Sequence, residues 1–226
     1  AIDEDAANIS LMASLAKVER CWRELEEVMG DPDRLFTPVT YINSAADLKA
    51  FCGEHGGIVC TSSNAPKILE WSFARREKVL FFPDQHLGRW SGHKMGIPLE
   101  DMAIWDPDLE YGGLTPEQIR RAKILLWKGH CSVHQMFQAG HILRFRNQHP
   151  DGLVISHPEC NFDVCRLSDY VGSTETIIRT IKEAPDSYAA LWDAELSPNI
   201  FLPPPNWTEA MDLIIIAAKL AGGDEH

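Results

Sequence analysis

Short segments dominated by apolar residues alternate with helix-patterned segments along most of this chain. Pro38-Val39-Thr40-Tyr41-Ile42, Gly57-Ile58-Val59-Cys60, Lys78-Val79-Leu80-Phe81-Phe82, Ile124-Leu125-Leu126-Trp127, Leu153-Val154-Ile155 and Tyr170-Val171 read as strands. Helical patterns fill the intervals over 44–51, 64–73 and 116–122, from 133, from about 162, and over 174–181. Pro116 suits a first helical turn, where its missing N–H costs nothing. Strands without a polar face cannot lie with one side in water. They pair in parallel, and the helices between them cover both faces. The expected fold class is α/β, with short parallel sheets in three-layer αβα units.

The pattern also repeats. Val39-Thr40-Tyr41-Ile42-Asn43, a helix, Val59-Cys60-Thr61-Ser62-Ser63-Asn64 and a second helix form one unit. Leu153-Val154-Ile155-Ser156-His157-Pro158-Glu159, a helix, Val171-Gly172-Ser173-Thr174 and a helix form another. Each has a first strand ending in polar side chains and a second ending in a Ser/Thr group ahead of a helix. Two α/β domains are expected, over 37–113 and 114–226, with the boundary near Gly112-Gly113. Residues 1–36 are expected to supply only an amphipathic helix over 10–29, with Leu15, Val18, Trp22 and Leu25 on its apolar face. Gly30 and Asp31-Pro32-Asp33 end it.

Composition narrows the function. The formal net charge of -12 argues against a nucleic-acid surface, which needs a basic footprint. The longest apolar run, Leu213-Ile214-Ile215-Ile216-Ala217-Ala218, is far short of the ~18 residues of a membrane span. No basic segment precedes an apolar one as in a signal peptide, so the chain reads as cytoplasmic, with reduced thiols. Cys21, Cys52 and Cys60 read as small buried hydrophobes.

In open parallel sheets, ligands lie beyond the carboxyl ends of the strands. Tyr41, Asn43, Ser62, His130, Cys131, His134, His157, Glu159, Ser173 and Thr174 all fall there. The hydroxyls of Thr61-Ser62-Ser63 and Gly172-Ser173-Thr174 precede helices, where open N–H groups suit a phosphate or carboxylate. His157 and Glu159 stand two apart, on one side of an extended segment. That suits acid–base work, with Glu159 as base and His157 as proton donor or orienting group. In Trp127-Lys128-Gly129-His130-Cys131-Ser132-Val133-His134 a thiol sits between imidazoles, and Cys131 is the candidate metal ligand. Asp84 and His86, in Phe82-Pro83-Asp84-Gln85-His86, read as a capped turn outside the site.

These motifs together resemble the quinolinate synthases. The resemblance rests on Thr40-Tyr41-Ile42-Asn43-Ser44-Ala45-Ala46-Asp47-Leu48-Lys49-Ala50, Cys60-Thr61-Ser62-Ser63-Asn64-Ala65, Phe82-Pro83-Asp84-Gln85-His86-Leu87-Gly88, the Trp127–His134 stretch, His157-Pro158-Glu159-Cys160 and Gly172-Ser173-Thr174, in order over roughly 37–181. It implies pseudo-symmetric α/β domains around a central pocket and a [4Fe–4S] cluster held by one cysteine from each of three domains. It implies condensation of iminoaspartate with dihydroxyacetone phosphate to quinolinate in NAD biosynthesis, with loss of phosphate and two waters. L-aspartate oxidase is then the upstream partner. Carried over, Cys131 resembles a cluster ligand and Glu159 the acid–base carboxylate, with His157 beside it. Tyr41 and Asn43 resemble substrate contacts, Tyr41 also a catalytic group, and Ser62 and Thr174 the phosphate or carboxylate binders. The family's first-domain motifs and its other two cluster cysteines have no counterpart where it keeps them, so 1–36 reads as a remnant of, or linker from, a missing first domain.

Two other readings of the same residues stand beside it. One is a cluster-free module that binds a phosphorylated or dicarboxylate metabolite. The other is a zinc-dependent hydrolase or lyase using His130, Cys131 and His134.

Overall fold

The computed structural model describes residues 13–183 of the chain. The 213–218 run and the rest of the chain beyond Glu183 lie outside the described residues, as does the start of the expected N-terminal helix. By internal contacts the chain divides into two compact units, one ending at Cys131 and the other beginning at Ser132.

In the first unit, helix α1 (Leu15–Met29) and a single turn, α2 (Pro32–Leu35), lead into strand β1 (Phe36–Tyr41). Then come α3 (Ala46–Glu54), β2 (Ile58–Cys60), α4 (Ala65–Phe73), β3 (Lys78–Phe82), α5 (Gln85–Lys94), β4 (Met102–Trp105), α6 (Pro116–Arg121) and β5 (Ile124–Trp127). The five strands form one parallel sheet in the order β2-β1-β3-β5-β4.

Alternation along the strands separates two cores. Phe36, Leu80, Phe82, Leu125 and Trp127 face one way and pack with Val18, Cys21, Trp22 and Leu25 of α1, Leu48 and Phe51 of α3, and Ile119 of α6. Val39, Tyr41, Val79, Phe81, Ile124 and Leu126 face the other way, against Leu69 of α4 and Leu87 of α5. Both faces of β3 and β5 are sealed, as strands with almost no polar side chain require. This is the three-layer αβα arrangement expected from the alternation.

Two features were not visible in the sequence pattern. Helix α5 carries Gly88 and Gly92 one turn apart on its sheet-facing side. A Cβ at Gly88 would stand 2.6 Å from a Leu126 methyl, and one at Gly92 2.8 Å from Ile124 and Met102 side-chain atoms, so glycine permits the close approach. Strand β4 is the other. Its Met-Ala-Ile-Trp run pairs with β5 in register from Met102↔Ile124 to Trp105↔Trp127.

The division also differs from the expected boundary at Gly113. Strand β5 is hydrogen-bonded between β3 and β4, so residues 114–127 complete the first sheet instead of opening a new domain. Helix α1 likewise belongs to this unit, because its four buried apolar side chains join the core on one face of the sheet.

The second unit contains α7 (Ser132–Gln135), α8 (Ala139–Gln148), β6 (Ile155–Ser156), α9 (Phe162–Leu167), β7 (Tyr170–Val171) and α10 (Thr174–Glu183). Its two short strands are parallel, with Ile155↔Tyr170 and Ser156↔Val171 paired. The β–α–β–α order of the first unit therefore recurs on a smaller sheet. Strand β6 sits later than expected; just ahead of it, Val154 O accepts the N–H groups of Asp169 and Tyr170, and Val154 N–H donates to the Asp169 side chain at 2.7 Å. Among the described residues no helix is long and apolar enough to cross a membrane.

Candidate active site

In the first unit, the carboxyl ends of β1, β2, β3 and β5 gather the polar residues. Tyr41 ends β1 and is buried, while Asn43 in the following turn is exposed. That turn is closed by Ser44 N–H donating to Tyr41 O at 2.9 Å. Tyr41 pairs with Cys60, which places Ser62, half-buried, just beyond the end of the neighbouring strand. The Thr61 hydroxyl bonds to Ser63 at 2.9 Å and Thr61 N–H to the Asn64 side chain at 2.7 Å. No side chain caps α4; Ala65 N–H donates to Thr61 O and Ile68 N–H to Asn64 O, each at 3.0 Å, and Pro66 has no N–H to offer.

Strand β3 is followed by Asp84, fully buried. One carboxylate oxygen accepts the N–H groups of His86 and Leu87, each at 2.8 Å, which caps α5. The other oxygen accepts the N–H of Cys131 at 3.2 Å, 47 residues on. Gln85 N–H also donates to Gly129 O at 3.0 Å. Burial pushes the Asp84 carboxyl up to about 7, against the downward pull of its three backbone N–H bonds and of Arg89. Cys131 itself is buried.

The second unit concentrates its chemistry in side chains. His157 and Glu159 lie in the turn after β6, and His134 on α7; all three are at most 1% exposed. The same Glu159 oxygen, Oε2, lies 3.3 Å from His134 Nδ1 and 3.4 Å from His157 Nδ1. The turn is closed by Cys160 N–H donating to His157 O at 3.0 Å, and Glu159 N–H reaches His157 Nδ1 at 3.4 Å. So His157 and Glu159 meet as the sequence suggested, but through a tight turn instead of an extended segment. Burial, reinforced by neighbouring His134, holds the His157 imidazole down to about 3, so the ring is neutral at pH 7. With Nδ1 accepting a backbone N–H, the ring proton belongs on Nε2. That nitrogen is buried and has no hydrogen-bond partner among the described residues, and the same holds for Ser156 Oγ. Ser173, buried, and Thr174 lie at the start of α10.

His134, His157 and Glu159 are also the group of three His, Cys, Asp or Glu side chains that comes together within 4.8 Å among the described residues. No group of this kind among the described residues includes His130 or Cys131. The trio as it stands suits protons better than a metal ion. Its imidazoles are stacked, 4.7 Å apart and 14° from parallel. A nitrogen lone pair lies in its ring plane, so two face-to-face rings do not aim at one ion.

The cysteines differ among themselves. None forms a disulfide. Burial raises the Cys21 thiol well above its ordinary value and pushes Cys52 up to about 12, so both remain protonated in the core. The Cys165 thiol is directed at the carbonyls of His157 and Cys160, at 3.5 and 3.7 Å.

Sequence reasoning missed the bond between Asp84 and Cys131 and the joining of His134 to Glu159. Asp84 announced a helix cap and nothing more. The one available signal for His134 was its place four residues after His130.

A family model described as NadA, quinolinate synthetase A protein, matches residues 3–196. The chain is 54% identical over 175 residues to the quinolinate synthase of Herpetosiphon aurantiacus, covering 77% of this chain and 47% of that protein. It is 57% identical over 175 residues to that of Rhodopirellula baltica, covering 77% of this chain and 44% of that protein. It is 50% identical over 182 residues to that of Acidobacterium capsulatum, with 77% and 47% covered. The chain spans about half the length of these curated relatives. Since the family model matches most of the chain, and the motifs at its strand ends lie within the matched stretch, the chain belongs to the NadA family of quinolinate synthetases.

Proposed function

We propose that this chain forms part of a quinolinate synthase, which condenses iminoaspartate with dihydroxyacetone phosphate in the cytoplasm to supply NAD biosynthesis. L-aspartate oxidase is the upstream source of the imine. The observation that carries the reading is the buried His134–His157–Glu159 group with its unsatisfied Nε2–H. A carboxylate and two imidazoles withdrawn from water cost stability, a cost kept where a ligand or a reaction needs such groups. A proton donor with no acceptor among the described residues suits an oxygen of a bound substrate.

Within that reaction Glu159 is the base, with one oxygen flanked by both imidazoles, and it removes protons during isomerisation and loss of water. His157, held neutral by burial, donates a hydrogen bond from Nε2 to substrate oxygen. Tyr41 and Asn43 contact substrate, Tyr41 taking part in catalysis. Ser62 and Thr174, each just ahead of or at the start of a helix, bind phosphate or carboxylate. Cys131 is one ligand of a [4Fe–4S] cluster, and the other two cysteine ligands that the family uses are not identified in this sequence. When bound, such a cluster supplies an iron with an open position as a Lewis acid.

The test is anaerobic purification of the whole protein, with iron quantitation and an assay of quinolinate from iminoaspartate and dihydroxyacetone phosphate. Brown protein with about four irons per chain and quinolinate production are expected. An iron-replete protein that consumes neither substrate would defeat the reading.

A further inference from the structure

The Asp84 side chain reaches across to the backbone of Cys131. Its Oδ2 accepts Cys131 N–H at 3.2 Å, while its Oδ1 is occupied by the N–H groups of His86 and Leu87. The next residue adds a second tie, Gln85 N–H to Gly129 O at 3.0 Å. The loop that follows β5 is therefore fastened at Gly129 and at Cys131 to the turn that follows β3. The two turns hang from neighbouring strands of one sheet, β3 and β5. A rigid frame thus runs from the sheet through a buried carboxylate to the amide of one cysteine.

We propose that Asp84 is a positioning residue for the Cys131 thiol, with one carboxylate oxygen capping α5 and the other setting where Cys131 presents its sulfur. The cluster consequence rests on the reading of Cys131 as a ligand; the thiol placement does not. A carboxylate suits the double task because it accepts at both ends, with a separate oxygen for each set of donors. An amide has only one acceptor oxygen, and a hydroxyl is too short to reach both.

The substitutions can separate the two halves. Asparagine is as good a helix cap as aspartate. In Asp84→Asn the oxygen can keep the His86 and Leu87 bonds, which turns an NH2 group toward Cys131 N–H, donor against donor. Asp84→Ser keeps a capping hydroxyl and loses the reach to Cys131. Both variants should leave α5 formed and release the Cys131 loop.

The experiment measures alkylation of Cys131 by iodoacetamide in the iron-free whole protein under native conditions, read by mass spectrometry, with Cys160 as internal control and circular dichroism as the folding check. In both variants Cys131 should react about tenfold faster, as expected for losing one hydrogen bond to a charged group, and Cys160 should be unchanged. After anaerobic reconstitution with iron and sulfide, the visible and paramagnetic resonance spectra of both variants should differ from the parent. Unchanged Cys131 reactivity in both variants overturns the proposal. Equal acceleration at Cys131 and Cys160 also overturns it, since that reports general loosening. Cys131→Ser is the separate control. If it keeps full iron, the ligand reading fails, while the alkylation rates still decide whether Asp84 positions the thiol.

Discussion

The two units hold their functional groups by opposite means. In the first, Cys131 and Tyr41 are fixed by backbone: a strand end, a turn, a carboxylate that grips an amide. Five strands and two apolar layers stand behind them. In the second, the functional groups are buried side by side, with two imidazoles around one carboxylate oxygen beside a two-stranded sheet. A sheet with both faces sealed fixes geometry cheaply, because the apolar burial that folds it also aims its strand ends. A buried ionisable group fixes geometry at a cost, because each member must leave water. The first arrangement suits a ligand or contact that must stay still. The second suits groups whose charge must change during a reaction. Substitutions in the first unit should therefore be read mainly in stability, and those in the second mainly in chemistry.

The largest effect expected is on turnover. Glu159→Gln keeps the size of the side chain and removes the base. It should lower quinolinate formation by roughly a thousandfold, within the range for loss of a general base, with circular dichroism and melting unchanged or improved. Near-normal turnover would return the second unit to a structural role.

Next in size is a loss of stability in the first unit. Leu126 is fully buried on the α5 side of the sheet, against Gly88. Leu126→Ala should cost about 3 kcal/mol by denaturant unfolding, as large-to-small core changes do. A cost well under 1 kcal/mol would mean that the frame behind Cys131 is loose.

The second unit should also show its difference in acid. His157 is held near 3 in the folded state, below its ordinary value of about 6.5. Between those values the unfolded chain binds the proton and the folded one does not. The stability this neutral histidine contributes is present above about 6.5 and is lost as pH falls toward 3. From pH 7 to pH 4.5 the loss is on the order of 2 kcal/mol. His157→Gln should flatten that acid limb when denaturant curves are compared at the two values, and an equally steep limb would assign it to other groups.

The same contrast explains what the sequence made legible. β3 and β5 were readable because a strand buried on both faces must be mainly apolar, which is a local property; β1 and β2 carry the same kind of short β-branched and apolar run. Helix α5 was not, because its glycines serve contacts with Phe81 and Leu126 that a helical pattern does not encode. The place of β5 between β3 and β4 is a matter of pairing order, so the expected boundary fell near Gly113 instead of Cys131. Within the site, His157 and Glu159 are two residues apart and were seen together. His134 reaches Glu159 only through the fold, and Asp84 reaches Cys131 only across the sheet.

The smallest prediction asks whether the first unit responds as a unit. Thr115 and Gln118 form a reciprocal cap on α6: Thr115 N–H donates to the Gln118 side chain at 2.8 Å, and Gln118 N–H to the Thr115 hydroxyl at 3.3 Å. The cap lies on the surface, but α6 carries fully buried Ile119 into the same core as Leu125 and Trp127 of β5. Thr115→Ala should cost about 1 kcal/mol, the ordinary worth of such a cap. Hydrogen exchange locates the cost. If the sheet behind Cys131 opens cooperatively, the amides of β5 should exchange roughly fivefold faster and those of α9, in the second unit, should not. Acceleration confined to the first turn of α6 would show fraying alone, and the first unit would then lack the rigidity on which its half of the contrast depends.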